Sequence, residues 1–185
     1  AVHLKAHALP RQRNQVILPI TSMKEGEVYA PNFKNGERVV LVRHPHGGIF
    51  EIPELVVNNK NPAAKKTLGT NPIEAIGIHP KVAERLSGAD FDGDTVLVIP
   101  NNKGLVKTAP ALSQLKDFDP KALYGPKVYP NAQKIKDTQG EMGKISNLIT
   151  DMTIKGAKDH EIARALKHAM EVIDADKHDL NYKQS

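Results

Sequence analysis

The stretch Ala89-Asp90-Phe91-Asp92-Gly93-Asp94 runs straight into Thr95-Val96-Leu97-Val98-Ile99-Pro100. The second half is apolar and β-branched, the composition of a buried strand. The first half sets carboxylates at every second position. Each is costly to desolvate and repels the next unless a cation or a set of donors compensates. An acidic cluster at the mouth of a strand is held by a rigid element, which is where a site for a hard metal ion belongs.

The spacing narrows the chemistry. In extended chain, residues i and i+2 share a face about 7 Å apart, too far to hold one small ion between them. Gly93 can adopt positive φ, and a turn there lets Asp90, Asp92 and Asp94 converge. Phe91 then points the other way and is expected to anchor the loop in the core. Mg²⁺ suits such a site, because it takes oxygen ligands, keeps waters and leaves positions for phosphates. A calcium loop of EF-hand type wants Gly at its sixth position and Glu at its twelfth. Counted from Asp90 these are Thr95 and Asn101, so that loop is disfavoured. A solvated acidic turn stays open on spacing alone, since Asp and Gly are both turn residues.

Upstream of this loop the chain reads as strands. Val16-Ile17-Leu18-Pro19-Ile20 is a short apolar run, and Glu25-Gly26-Glu27 is a turn before Val28-Tyr29-Ala30. Lys34-Asn35-Gly36-Glu37 signals a turn into Arg38-Val39-Val40-Leu41-Val42-Arg43. Residues 49–57 suggest another strand, interrupted by Pro53. Residues 58–72 read as loop, rich in Asn and Pro, and residues 73–78 as strand or short helix. Pro80 opens a short helix through Leu86. Downstream, residues 109–130 carry prolines and no clear period, the mark of a connector. Met142, Ile145, Leu148, Ile149 and Met152 then fall at helical spacing, with Thr138 and Glu141 as a capping box and Gly156 as a stop. Asp159 is expected to cap a second helix with Ile162, Leu166, Ala169, Met170 and Ile173 on one face.

Composition excludes several classes. The 185 residues are 39% hydrophobic and 25% charged, enough for a real core. No cysteine means no disulfide, thiolate zinc site or Cys nucleophile, and permits a cytoplasmic location. No apolar run approaches the ~20 residues of a membrane helix. Net charge is +5, which fits a polyanionic partner without requiring one. The opening Ala-Val-His-Leu-Lys, without initiator Met, suggests a piece of a longer protein. There is no Walker A motif, no Gly-x-Ser-x-Gly elbow and no Gly-x-Gly-x-x-Gly, which disfavours P-loop ATPases, α/β-hydrolases and Rossmann dehydrogenases.

A metal site of three aspartates implies phosphate chemistry, and such a site needs cations for the phosphates and groups to orient a sugar. Arg43 ends the strand before it and opens Arg43-His44-Pro45-His46-Gly47-Gly48, a rigid turn able to present the guanidinium. His44 and His46 lack an identifiable third metal ligand. Lys60, Lys65 and Lys66 are candidate contacts to a nucleic-acid backbone.

Together, Arg43-x-Pro45 followed by a strand, Ile78-His79-Pro80 and the 89–94 loop resemble the catalytic core of the largest subunit of multisubunit RNA polymerases. The resemblance implies a double-psi β-barrel in which Asp90, Asp92 and Asp94 hold a catalytic Mg²⁺ while Arg43, beside Pro45, contacts the sugar of the nucleotide or primer end. The chain departs from that family at Gly88, where the family has Asn. Ser87-Gly88-x-Asp90 and residues 38–45 are closer to the single-chain polymerases of RNA silencing. So are Gly143-Lys144-Ile145-Ser146-Asn147 and Val172-Ile173-Asp174-Ala175-Asp176-Lys177, which would place Asn147 and Lys177 toward substrate or template. Phage and prophage single-chain RNA polymerases share this mixture and are the favoured branch.

The expected fold class is α+β, a double-psi β-barrel core followed by a C-terminal helical pair. The expected domains are a barrel with N-terminal extension at 1–112, a proline-containing connector at 113–130 and a helical extension at 131–185. The implied function is the Mg²⁺-binding fragment of a DNA-directed RNA polymerase of phage type, adding nucleoside monophosphates to an RNA 3′ end and located in the (host) cytoplasm. An RNA-directed polymerase of the silencing type is the alternative, and a non-catalytic β-barrel metal-binding or interaction module the second. Implied partners are nucleoside triphosphates, template DNA or RNA, product RNA and a second β-barrel domain of the same or another chain, with no membrane. No second barrel pattern appears in these residues, so the chain alone is expected to fold and to be nearly inactive.

Overall fold

The computed structural model describes residues 14–184 except Pro45, Gly47, Ile73, Asp117, Ala132 and Gln133, and only the backbone of Lys177. It divides the chain into two compact units. One runs to His44 and resumes from Glu51 to Ala109; the other takes residues 45–50 and everything from Pro110 onward.

In the first unit six strands close into a barrel. They are β1 (Asn14–Pro19), β2 (Glu27–Tyr29), β3 (Arg38–Val42), β4 (Glu54–Val57), β5 (Ala75–Ile78) and β6 (Thr95–Pro100), in the cyclic order β1-β5-β2-β4-β3-β6. The pairs β1·β5 and β2·β4 are parallel and the other four antiparallel. Only β3 and β4 are neighbours both in sequence and in the barrel. Every other connection passes over one strand: β5 lies between β1 and β2, β4 between β2 and β3, β2 between β4 and β5, β1 between β5 and β6. With the C-terminal helices, this is the expected α+β class with its barrel core.

Alternation along the strands fills the barrel. Ile17, Val28, Val39, Leu41, Leu55, Val57, Ile76, Ile78, Val96 and Val98 point inward and are buried together. The intervening residues of β3 and β6 are covered as well: Val40 and Val42 pack with Ile52, Leu97, Ile99 and Val106 on the outer face. Cover on both faces explains why these two strands read as unbroken apolar runs. Asn101, buried just after β6, donates to Glu54 and to the Val106 carbonyl, and accepts from Val106 N–H at 2.9 Å.

Two segments differ from the sequence expectation. Residues 58–72 contain a helix, α1 (Pro62–Leu68). Asn61 is its cap, accepting from Ala64 N–H at 3.0 Å, and Pro62 takes the first position, where a missing N–H costs nothing. The Asn-Pro pair that reads as loop is therefore a helix start. Ile20, Met23, Tyr29 and Ala64 pack together beneath Leu68, and Tyr29 Oη donates to the Gly69 carbonyl at 2.7 Å. Gly77 makes room for this layer, since a Cβ there would stand 2.8 Å from Ile20 Cγ1. Residues Ile49–Glu51 form a single 3₁₀ turn in place of the expected strand, and β4 begins only after Pro53.

After β5, His79 Nδ1 accepts from Lys81 N–H at 3.2 Å and Pro80 begins α2 (Pro80–Ala83). Val82, Ala83 and Leu86 enter the barrel core. In the second unit, α3 (Pro120–Tyr124), α4 (Thr138–Ile154) and α5 (Asp159–His178) pack around Ile145, Ile149, Ile162, Leu166 and Val172. The α4 cap is Asp137, one residue before the expected Thr138, with its Oδ1 accepting from Gly140 N–H at 2.8 Å. Asp159 is the first residue of α5, and the preceding Lys158 N–H donates to Glu161 Oε2 at 2.8 Å. Among the described residues, no helix is long and apolar enough to cross a membrane.

Candidate metal centre

Three features of the barrel hold the loop between α2 and β6. The first is the strand ladder: Ile17 N–H donates to the Asp94 carbonyl at 3.1 Å, extending the antiparallel pairing of β1 with β6. Asp94 therefore stands at the mouth of two strands. The second is the β3·β6 register, in which Val42 faces Leu97. That brings the end of β3, and Arg43 after it, alongside the start of β6. The third is Phe91, which packs partly buried against the barrel core, as its expected anchoring role requires.

The loop between these anchors is strained. Ser87, Gly88, Phe91 and Gly93 all have positive φ, at 53°, 71°, 61° and 103°. Left-handed backbone is routine for glycine and costs of order 1–3 kcal/mol for other residues. Two non-glycine residues in that state within five positions show that the surrounding structure over-determines the loop. The outcome is convergence: Asp90, Asp92 and Asp94 each offer a carboxylate oxygen, all within 4.8 Å of one another. Two ligands on opposite sides of Mg²⁺ stand about 4.2 Å apart. Of three ligands at most one pair can be opposite, and adjacent ones stand about 2.9 Å apart, so oxygens up to 4.8 Å apart would draw together by up to about 2 Å to share one ion.

The acids are not equivalent. Asp90 and Asp92 are exposed, while Asp94 is half-buried. Asp94 Oδ1 accepts from Arg43 Nη2 at 2.9 Å, with the two side chains only 15% and 12% exposed. Its Oδ2 accepts from Asp90 N–H at 3.2 Å, which closes the loop on itself. Arg43 Nη1 donates in turn to the Ser87 carbonyl at 3.1 Å. The site is thus a carboxylate triad with one guanidinium docked on its inner member.

Of the other sequence candidates, Pro45 lies outside the described residues, as does the Lys177 side chain. Asn147 is exposed on α4 in the second unit. Lys60, Lys65 and Lys66 are exposed at and on α1. Among the described residues, neither His44 nor His46 belongs to a group of three able to share an ion. Glu51 was not singled out by sequence, and Ser87 only as part of the Ser87-Gly88-x-Asp90 motif, without a role of its own. The available signals were an acid inside the apolar run Ile49-Phe50-Glu51-Ile52 and a serine before the loop glycine.

No family model matches this chain. No curated protein matches it either. Among solved structures the chain is similar to RNA dependent RNA polymerase QDE-1 from Thielavia terrestris, with a TM-score of 0.58 and 14% identity. The match covers 90% of this chain and 22% of that polymerase. At that identity the likeness is one of fold, and the chain spans about a fifth of that structure's length.

Proposed function

We propose that this chain is the metal-binding catalytic fragment of a nucleic-acid-templated RNA polymerase. One observation carries the reading: three carboxylate oxygens within 4.8 Å, with Arg43 paired to Asp94, at the mouth of a barrel whose fold recurs in an RNA polymerase. Asp90, Asp92 and Asp94 are the ligands of a Mg²⁺ ion in this reading. When bound, the ion would supply Lewis-acid activation of an RNA 3′-hydroxyl and neutralise charge at the attacked phosphate.

The chain's own residues do the positioning. The triad sits on a loop that ends at β6, so its carboxylates are gathered before any ligand arrives. Arg43 is near enough to Asp94 to address a sugar hydroxyl beside the ion, and its planar fork suits such a contact. Pro45 is assigned, with Arg43, to the substrate side. Asn147 and Lys177 are assigned to the substrate or template side. Nucleoside triphosphates, a template and product RNA are the ligands, and a second β-barrel domain is the missing partner that supplies basic residues. Without it, the chain alone incorporates little or no nucleotide.

The sequence pattern favours a single-chain DNA-directed enzyme of phage type. The QDE-1 likeness, at 14% identity, is one of fold and does not choose between this enzyme and the RNA-directed alternative. Extension assays on matched DNA and RNA templates separate the two. The test of the shared reading is Asp92→Ala in the complete polymerase. Extension is expected to fall by about 10²-fold or more while the fold survives. Normal extension by that variant would make the barrel a non-catalytic module.

A further inference from the structure

Two buried polar side chains stand behind Arg43. Glu51 is 3% exposed and Ser87 4%, and Ser87 Oγ donates to Glu51 Oε2 at 3.0 Å. A carboxylate buried to that degree is costly without donors. Ser87 also adopts a left-handed φ of 53° that serine rarely takes. Ending the turn after α2 does not require this, because Gly88 at φ 71° is enough. What the unusual Ser87 backbone achieves is direction: its carbonyl faces Arg43 and accepts from Nη1 at 3.1 Å. Nη2 is thereby left aimed at Asp94 Oδ1, 2.9 Å away. A planar guanidinium gripped at two points has one orientation.

We propose that Glu51 and Ser87 are a positioning pair that orients Arg43 across the carboxylate triad. Neither touches the ion or the substrate; both act through Arg43. The proposal deepens the polymerase reading and rests on it for what Arg43 meets. It has a consequence for binding. Held in place, Arg43 occupies one Asp94 oxygen and sets a positive charge beside the ion site. A sugar hydroxyl that draws the guanidinium away frees that oxygen, so metal and nucleotide bind cooperatively.

The test uses the whole chain with two readouts: the side-chain ¹⁵N–¹H signals of Arg43, and Mn²⁺ titration. In the unmodified chain the Arg43 Nη protons are expected to give separate signals from hindered rotation. Ser87→Gly keeps the left-handed backbone accessible and removes the hydroxyl. It is expected to average those signals and tighten Mn²⁺ binding about threefold, part of the effect of removing the charge. Arg43→Gln is expected to tighten it about tenfold, the worth of one charge about 6 Å from a divalent ion in water-like surroundings. The double variant should bind no tighter than Arg43→Gln alone, because Ser87 acts through Arg43. Ser87→Asn, which tolerates positive φ and offers an amide donor, should restore the separate signals. Averaged Arg43 signals in the unmodified chain overturn the proposal without any variant having to fold. So do additive effects in the double variant. If Mn²⁺ does not bind but Ser87→Gly still releases Arg43, the metal reading fails and the positioning role stands.

Discussion

Asp94→Asn should weaken the fold, whereas Asp90→Asn and Asp92→Asn should not. All three should abolish metal binding. The distinction follows from what each acid does besides facing the ion site. Asp94 is half-buried and ion-paired to Arg43 at 2.9 Å. Charges about 4 Å apart near a protein surface attract by about 4 kcal/mol, and desolvation offsets much of that. Asn keeps one oxygen, for either Arg43 or Asp90 N–H, sets an NH₂ group against the other donor and loses the charge. The expected loss is about 1–2 kcal/mol. Asp90 and Asp92 are exposed, so their neutralisation should fall within about 0.5 kcal/mol of the parent. The assay is urea unfolding followed by far-UV circular dichroism, in EDTA and again in Mg²⁺. At tenfold its dissociation constant, Mg²⁺ should stabilise the parent by about 1.4 kcal/mol and the three variants not at all. Equal losses for Asp92→Asn and Asp94→Asn in EDTA would refute the reasoning. So would an Mg²⁺ gain that survives in any of the three.

Other consequences are direct. Gly77→Ala should destabilise the barrel by about 1–3 kcal/mol in the same assay, because its Cβ would meet Ile20 Cγ1 at 2.8 Å and Leu68 Cδ1 at 3.3 Å. Asn101→Ala should cost about 2–3 kcal/mol, since it strips partners from Glu54 and from both backbone groups of Val106. In the second unit, burial lowers the His168 pKa below the ordinary 6.5 against a weaker opposing pull from Glu141. The folded state thus favours neutral His168. Its contribution to stability is full above pH 6.5 and is lost as pH falls from there through the lowered folded value. His168→Gln should flatten that part of the pH profile when hydrogen exchange is followed in α5.

The site loop was legible because its information is local. Three acids, a glycine and an apolar strand fall within residues 90–100, and β6 occupies the expected Thr95–Pro100. β3 was legible for the same reason. The cyclic strand order was not, because four of the five connections between the described strands join strands that are not neighbours. The Arg43 to Asp94 pair spans 51 positions and the Ser87 to Glu51 bond 36, so no periodicity carries them. Their proximity is a product of the β3·β6 register. Helix α1 was hidden by its own start signal: Asn61 and Pro62 serve a turn and a helix N-terminus equally well until a packing face such as Ala64 is known.

The most direct test of the central claim is a Mn²⁺ titration of the chain monitored by electron paramagnetic resonance, repeated on Asp90→Asn, Asp92→Asn and Asp94→Asn. The triad predicts one divalent site per chain, displaced by Mg²⁺ and lost in each variant. Absence of binding at millimolar Mn²⁺, or binding that persists in any of the three variants, would contradict it.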